Sequence, residues 1–162
     1  MSQTELKETI NASLEKTWEV LFNQYGDIHI HNPTMEFSEY LNGASKGELN
    51  CVRHCKFNQK LSLDEKITEV TENKFFKVEV EKHNLPLLKD MAATYELTAT
   101  GDNKTEVKMV SSSTTSPGFM IYLMRGQLAK SLKQHLFGLK YYVEMGKTVN
   151  NENYAKVFKS YK

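Results

Sequence analysis

Alternation of apolar and polar residues dominates the middle of the chain. On the strand predicted over residues 48–58, one face is formed by Leu49, Cys51, Arg53, Cys55 and Phe57. Side chains two residues apart on a strand point to the same face, so this set would face inwards. Similar alternation between turn-forming residues predicts further strands near 35–42, 62–71, 74–83, 91–100 and 104–114. One wet and one dry face is typical of an antiparallel sheet.

Helical periodicity marks both ends of this strand-rich region. After a first strand predicted near residues 4–11, apolar residues recur at spacings of three and four within Leu14–Tyr25. This spacing predicts a helix, which Gly26 would end. A much longer apolar stripe within Met120–Val143 predicts a helix of about 40 Å, which is long enough to cross a whole sheet.

These elements predict an α+β fold in which one long helix lies on the concave face of a curved antiparallel sheet. Six or seven strands cannot close around a small filled core when a whole helix occupies one face, so we expect a cavity between sheet and helix. Residues 1–147 would form a single domain. Residues 148–162 would form a tail with a short amphipathic helix, because their apolar residues between 154 and 161 have helical spacing.

Charge and composition argue against several classes of protein. The 162 residues carry a net charge of +1 and no run of lysine or arginine, which disfavours nucleic acid as a partner. The most apolar stretch, Phe119–Met124, is far shorter than a membrane span. Since the N-terminus also lacks the apolar core of a signal peptide, we expect a cytoplasmic protein without a membrane span.

The two cysteines, Cys51 and Cys55, are predicted to be free thiols. Four residues along a strand separate them by roughly 13 Å, about twice the reach of a disulfide. A nearby guanidinium would favour a nucleophilic thiolate, but a buried cysteine is usually just a small apolar residue.

His29 and His31 look like part of a metal site. Zinc needs three or four ligands, so no metal or other cofactor is expected.

Arg53 is the most informative single residue. The chain has nineteen lysines and only two arginines, and this arginine lies in the middle of an apolar strand face. A buried charge must be paired or must meet a polar group. If the next turn lies near Asn58 and Gln59, Glu65 would lie roughly opposite Arg53. The pair would either orient the polar group of a ligand or act only as a structural ion pair that sets the strand register.

An ordered set of short motifs runs through the chain. The set comprises Ile10–Ser13 with Trp18 and Leu21, Phe22–Ile28, Asn32–Pro33, Arg53–Cys55, Glu65–Ile67, Leu85–Pro86 and Gly138–Gly146. By these residues the chain, from about residue 4 to residue 147, resembles the START-like, Bet v 1-like superfamily and, within it, the polyketide cyclase/dehydrase-type bacterial branch. The resemblance implies the helix-grip fold, in which about seven strands wrap around a long C-terminal helix and enclose a central apolar cavity. Members bind or transport lipids, sterols, hormones and polyketides, and some catalyse cyclisation or dehydration.

The favoured hypothesis is therefore the binding or carrying of a small hydrophobic molecule, such as a lipid, a polyketide or an isoprenoid-like compound. Arg53 and Glu65 would anchor its polar group, as the resemblance to plant hormone receptors of similar fold implies. The other residues expected around the ligand are Cys55, Phe57, Met91, Tyr95, Met120, Met124 and His135. The expected partner is this ligand, and the sequence does not define an oligomeric state. A third hypothesis is a protein–protein module that uses the loop Leu85–Leu88 and the tail helix.

The alternative hypothesis is a cyclase or dehydratase that acts in the same cavity. Glu65 or His135 would then move a proton while Arg53 stabilises an enolate. A glutamate held by an arginine is a poor base, however, so a stable pair favours binding.

Two segments are expected near the cavity. Loop 84–88 would form a lid or fold back onto the helix end, and the hydroxyl-rich segment 111–115 would provide a polar end or only cap the next turn.

Overall fold

The computed structural model describes residues 1–161, which fold into one sheet and a set of helices packed on it. The strands are β1 Ser2–Ile10, β2 Phe37–Tyr40, β3 Val52–Lys56, β4 Ser62–Thr71, β5 Phe75–His83, β6 Leu88–Gly101 and β7 Lys104–Thr115. The α-helices are α1 Leu14–Trp18, α2 Met120–Met145 and α3 Tyr154–Ser160, and a π-helical turn Glu19–Asn23 and a 3-10 helix Tyr25–Ile30 follow α1. Within these described residues, no helix is both long and apolar enough to cross a membrane.

All seven strands belong to a single antiparallel sheet with the order β1-β7-β6-β5-β4-β3-β2. Each strand from β2 to β7 pairs with its neighbour in sequence, while β1 pairs with β7. Pairing of β5 with β6 covers only Phe75–Glu79 and Ala92–Glu96. Beyond these pairs β5 continues to His83 and β6 begins at Leu88, without further register pairs between the two strands.

The N-terminal helical region is less regular than its sequence pattern predicts. Ser13 caps α1, since its hydroxyl accepts a hydrogen bond from the N–H of Lys16 at 3.2 Å. The helix then widens, and the N–H of Gln24 bonds to the carbonyl of Glu19. The carbonyl of Asn23 accepts from Gly47 at 2.9 Å, so a later loop takes the place of the next helical turn. The helix predicted to end at Gly26 is therefore formed by α1 and the π-helical turn, and the 3-10 helix Tyr25–Ile30 follows as a separate element.

Helix α2 lies across the sheet, and its two halves have different surroundings. Its second half buries Leu136, Leu139 and Val143 against the sheet. Gly146 ends it in a left-handed conformation with φ 65°, and the Gly146 N–H bonds to the carbonyl of Tyr142. Within this second half, a Cβ on Gly138 would lie 2.0 Å from the backbone oxygen of His31. Only glycine allows the helix to approach the turn that follows the 3-10 helix so closely.

The closed end of the molecule is filled by an aromatic core. The rings of Phe76 and Tyr95 stack with centroids 4.6 Å apart, and Trp18 stacks on Phe22 at 4.5 Å. Leu139 from α2 completes this cluster. Offset aromatic pairs add to the stabilisation that burial alone provides. Because the core occupies the end below the second half of α2, the space below its first half is left open.

The prediction of a helix-grip α+β fold is confirmed, with a curved seven-stranded sheet and the 26-residue helix α2. One detail of the strand pattern is wrong. Leu49 was expected on the inward face, but β3 begins at Val52 and Leu49 is 54% exposed. Asn50 has φ 68°, which ends the extended conformation before the strand begins. The inward alternation therefore starts at Cys51.

Helix α3 lies within the segment predicted as a tail and packs on the outer side of α2. Phe137 of α2 contacts Tyr154 and Phe158 with ring centroids 5.6 and 4.9 Å apart. The hydroxyl of Tyr161 donates a hydrogen bond to the carboxylate of Glu144. Aromatic contacts thus attach the end of the described chain to the helix that covers the cavity.

Candidate functional site

A cavity of about 670 Å³ lies between the sheet and the first half of α2. Its apolar wall is formed mainly by Ile28, Met35, Phe57, Leu61, Leu63, Leu85, Leu88, Met91, Ala93, Met109, Ile121, Met124, Leu128 and Leu132. A volume of this size is in the range of small-molecule sites, which are mostly apolar with a few placed polar groups. The placed polar groups here include Arg53, Glu65, Tyr95 and His135.

Arg53 and Glu65 form a buried ion pair directly across two neighbouring strands. They are register partners on β3 and β4, as the position of the turn predicted. Nε and Nη2 of Arg53 donate to the same carboxylate oxygen, Oε2 of Glu65, at 2.9 and 2.6 Å. Nη1 donates to the backbone oxygen of Tyr25 at 3.0 Å, and the guanidinium carbon lies 3.8 Å from the centroid of that ring. The pair is therefore held on three sides.

Arg53 keeps its positive charge although the side chain is buried. Burial alone would lower the pKa of this guanidinium, but Tyr25 and Glu65 nearby raise it well above its usual value. The ring of Tyr25 also stabilises the cation from below. Arg53 thus stays a cation at any pH at which the protein is folded.

The pair leaves hydrogen-bonding capacity towards the cavity. Both bonds from Arg53 end on Oε2, and within residues 1–161 no donor reaches Oε1 of Glu65. Arg53 has five N–H groups and uses three of them in these contacts. Because both residues line the cavity, a ligand could meet one free acceptor and adjacent donors at one point of an apolar wall.

Tyr95 and His135 form a second polar contact in the cavity wall. The Tyr95 hydroxyl lies 3.2 Å from Nε2 of His135, and both residues are 3% exposed. His31 stacks beside His135 with ring centroids 5.9 Å apart. In the described chain, Nδ1 of each histidine is buried without a hydrogen-bond partner. The three residues make a compact group of neutral polar side chains.

Burial keeps this group neutral at physiological pH. It lowers the pKa of His135 well below its usual value, with the nearby His31 and Arg53 acting in the same direction. Burial likewise lowers the pKa of His31 to about 3 and raises the pKa of Tyr95. Proton transfer between Tyr95 and His135 would create two unfavourable buried charges. The arrangement is suited to hydrogen bonding rather than to acid–base chemistry.

Seven of the nine residues expected around a ligand line the cavity, and two do not. The lining residues are Arg53, Glu65, Phe57, Met91, Tyr95, Met124 and His135. Cys55 is fully buried and packs behind the wall with Ile28 and Leu63. Met120 is the first residue of α2 and does not line the cavity, although the next residue, Ile121, does. For Cys55 and Met120, the strand β3 and the helix α2 do contribute to the cavity wall, but through other side chains.

The cysteines and the paired histidines have no arrangement suited to catalysis or metal binding. Burial raises the pKa of Cys55 to about 12 and also raises that of Cys51, which disfavours a thiolate. His29 bonds to Ser38 at 2.7 Å, whereas His31 packs on α2. No group of three or more metal-ligating side chains occurs among residues 1–161.

Several cavity residues escaped the sequence analysis. Leu128 and Leu132 belong to the apolar stripe of α2 and were assigned only to the helix core. Ser113, in contrast, belongs to segment 111–115, which is expected either to give the cavity a polar end or to cap the next turn, and it lines the cavity on the same face of β7 as Met109. Asn32 and Thr34 come from a turn, where no periodicity shows which side chains face inwards.

Comparison with known proteins identifies the fold. No protein-family model and no curated protein sequence matches the chain. Among solved structures, Ara h 8.0201 of the Bet v 1 family has a TM-score of 0.71 at 14% identity over 88% of this chain and 97% of that one. A START superfamily protein from Mycobacterium smegmatis has a TM-score of 0.66 at 14% identity over 85% and 96%.

The di-domain ARO/CYC protein BexL of the BE-7585A biosynthetic pathway has a TM-score of 0.67 at 13% identity. The similarity covers 90% of this chain and 47% of BexL, so the chain spans about half of that protein. Each of these similarities extends over at least 85% of this chain, which includes the sheet and the long helix α2. The chain therefore has a START/Bet v 1-like fold of the helix-grip type.

Proposed function

We propose that this protein binds a small hydrophobic molecule with a neutral polar head group in the cavity between the sheet and α2. The observation that carries the proposal is the buried Arg53–Glu65 pair, which presents one unused carboxylate oxygen to an apolar cavity. The superfamily to which the structural neighbours belong binds hydrophobic ligands. The cavity is large enough for a lipid, polyketide or isoprenoid-like molecule.

The charge balance of the pair favours a neutral head group over a carboxylate. Arg53 already has a carboxylate partner at 2.6 Å, so an anionic ligand would bring a second negative charge beside Glu65. A hydroxyl fits better, because it can donate to Oε1 of Glu65 and accept from a spare N–H of Arg53. The anchor thus selects an alcohol, or another head group that both donates and accepts.

The same geometry disfavours the cyclase or dehydratase alternative. That reaction needs a group which gains and loses a proton near working pH. His135 is held neutral because burial lowers its pKa, and Tyr95 keeps its proton because burial raises its pKa. Glu65 is already bonded to Arg53 through two hydrogen bonds. Ligand binding needs no change in the protonation of these groups, whereas catalysis requires one of them to gain or lose a proton.

Native mass spectrometry of the protein purified gently from its own host is the first test. We expect a discrete added mass that is lost on denaturation and that corresponds to an apolar molecule with a hydroxyl or similar group. A clean ligand-free mass would contradict tight carriage. Conversion of a polyketide-like substrate by the purified protein would support the enzyme alternative instead.

A probe series tests the anchor directly. Dodecanol, its methyl ether and dodecanoate share one chain and differ only at the head, and their affinities can be measured by displacement of a fluorescent dye. We expect dodecanol to bind about 10-fold tighter than the ether, because the ether leaves Oε1 of Glu65 buried without a donor. Dodecanoate should also bind more weakly than dodecanol because of charge repulsion.

The matched variant is Arg53→Met with Glu65→Met, which removes both charges while keeping apolar volume. In this variant the preference for dodecanol over the ether should disappear while the alkyl chain still binds. If the preference persists in the variant, the ion pair is purely structural and the proposed anchor is wrong.

A further inference from the structure

The inward face of β7 changes from apolar to hydroxylic as it passes along the cavity. Thr105, Val107, Met109, Ser111, Ser113 and Thr115 alternate inwards and are all buried. The threonine hydroxyls at the two ends of this row are bonded within the protein. Thr105 donates to the carbonyl of Ala12 at 2.9 Å, and Thr115 donates to the carbonyl of Pro117 at 2.9 Å.

Ser111 differs from these threonines. It is 2% exposed, and its hydroxyl oxygen has no hydrogen-bond partner among residues 1–161. Leaving a buried hydroxyl unpaired destabilises the fold, a cost that alanine at the same position would avoid. Ser113, two residues further on the same face, lines the cavity directly, whereas Ser111 lies just behind the wall, beside the lining residue Ala93 with which it pairs. The pair of serines therefore offers hydrogen bonds that the folded chain leaves unused.

The serines lie far from the Arg53–Glu65 anchor across the sheet. Glu65 is on β4 and Ser113 is on β7, so three strand spacings separate them, on the order of 14 Å. Between these positions the cavity wall is apolar and includes Met91 and Ala93, which are the register partners of Ser113 and Ser111. Besides the Tyr95–His135 contact, the cavity wall thus has polar groups at the Arg53–Glu65 pair and at the serines, with apolar strand residues between them.

We propose that Ser111 and Ser113 form a second polar subsite, which takes a hydroxyl or carbonyl at the end of the ligand opposite the head bound by Arg53 and Glu65. This inference rests on the proposed function and narrows its ligand class. The ligand is an elongated apolar molecule with a polar group at each end. A ligand with a purely hydrocarbon tail would leave the Ser111 hydroxyl unpaired and would gain nothing from the serines.

Paired alcohols test the subsite. The probes are α,ω-alkanediols from octanediol to tetradecanediol, each compared with the 1-alkanol of the same length by the same dye displacement. In the unmodified protein, at the chain length that fits best, the diol should bind at least as tightly as the alkanol. In the double variant Ser111→Ala/Ser113→Ala the diol should bind about 10-fold more weakly, since its second hydroxyl is then buried without a partner. Binding of the alkanol should stay unchanged or become tighter.

Ser112→Ala is the matched control, because Ser112 lies between the two serines on the opposite face of β7. It should leave the ratio of diol to alkanol affinity unchanged. The thermal unfolding midpoint of Ser111→Ala/Ser113→Ala should equal or exceed that of the unmodified protein, because the deletion removes an unpaired buried hydroxyl. This measurement separates a lost subsite from a damaged fold.

The outcomes separate the two proposals. If the alkanols bind and depend on Arg53 and Glu65, but the diols are weaker by the same factor in the unmodified protein and in Ser111→Ala/Ser113→Ala, the second subsite is wrong and the anchor stands. If no alkanol binds the unmodified protein, both proposals are overturned. A diol advantage that is lost only in the double serine variant supports the second subsite.

Discussion

Replacement of His31 by phenylalanine is expected to make the protein less sensitive to acid. The His31 ring stacks on His135 and on Tyr142, with centroids 5.9 Å apart in both cases. Its Nδ1 is buried without a partner in the described chain, so phenylalanine keeps the ring contacts and removes a group that the fold does not bond. The variant should fold and should differ from the unmodified protein mainly in proton uptake.

The magnitude follows from the pKa of His31, which burial lowers from 6.5 to about 3. Below pH 6.5 the unfolded chain binds a proton at this residue and the folded chain does not. Stability is therefore complete above pH 6.5 and is lost as the pH falls towards 3. Between pH 7 and pH 5 the loss from this one histidine is about 2 kcal/mol, because each pKa unit corresponds to 1.36 kcal/mol.

Urea unfolding at pH 7 and pH 5, followed by the fluorescence of the single tryptophan Trp18, measures this difference. The unmodified protein should lose about 2 kcal/mol more unfolding free energy on acidification than His31→Phe. His135 titrates in both proteins, and its contribution cancels to first order in the comparison. Equal losses in the two proteins would show that His31 is accessible to solvent protons in the folded state and would refute the reasoning.

Three further predictions concern packing and charge. Arg53→Met should cost about 3–5 kcal/mol in unfolding free energy because it strands a buried carboxylate, and adding Glu65→Met should recover most of that loss in urea titrations. Equal stability of the single and double variants would argue against a coupled pair. Gly138→Ala should destabilise by about 1–3 kcal/mol, since its Cβ would meet a backbone carbonyl at 2.0 Å. On the same helix, a Cβ on Gly126 would have no neighbour within 4 Å, so Gly126→Ala should stabilise the protein by up to about 1 kcal/mol. Thermal unfolding measures both glycine variants. A similar effect at both glycines would contradict the close approach. Cys55 is fully buried and has a pKa raised to about 12, so iodoacetamide should label it at least about a hundredfold more slowly in the native protein than in urea. Rapid native labelling, located by peptide mass spectrometry, would contradict this burial.

The sheet and the ion pair could be predicted because they depend on local pattern. Alternation along β3 indicated which face Arg53 occupies, and a turn of the right length placed Glu65 opposite it. Leu49 was misassigned, because alternation continues past the residue at which the backbone leaves the extended conformation. The left-handed φ of Asn50 ends the pattern, and asparagine tolerates this conformation without any signal in the flanking residues.

The parts of the site that depend on distant contacts could not be predicted. His31 meets His135 only because Gly138 allows α2 to approach the turn, and sequence spacing does not reveal such an approach. The strand predicted near 104–114 includes most of the hydroxyl-rich segment at the end of β7, but the sequence does not reveal that this segment is buried and paired on both sides. Pairing with β1 and β6 overrides its low strand propensity.

The pairing of β1 with β7 has a consequence for how the chain folds. Ser2 pairs with Ser113 and Ile10 with Thr105, so β1 is synthesised about a hundred residues before its partner strand β7. Every other strand pair can form between neighbours as synthesis proceeds. Until β1 docks, β7 presents an open edge, which is the kind of surface through which partly folded chains aggregate. Docking of the N-terminal strand should therefore be a late and slow event, and removal of residues 1–10 should cause aggregation rather than a simple loss of ligand affinity.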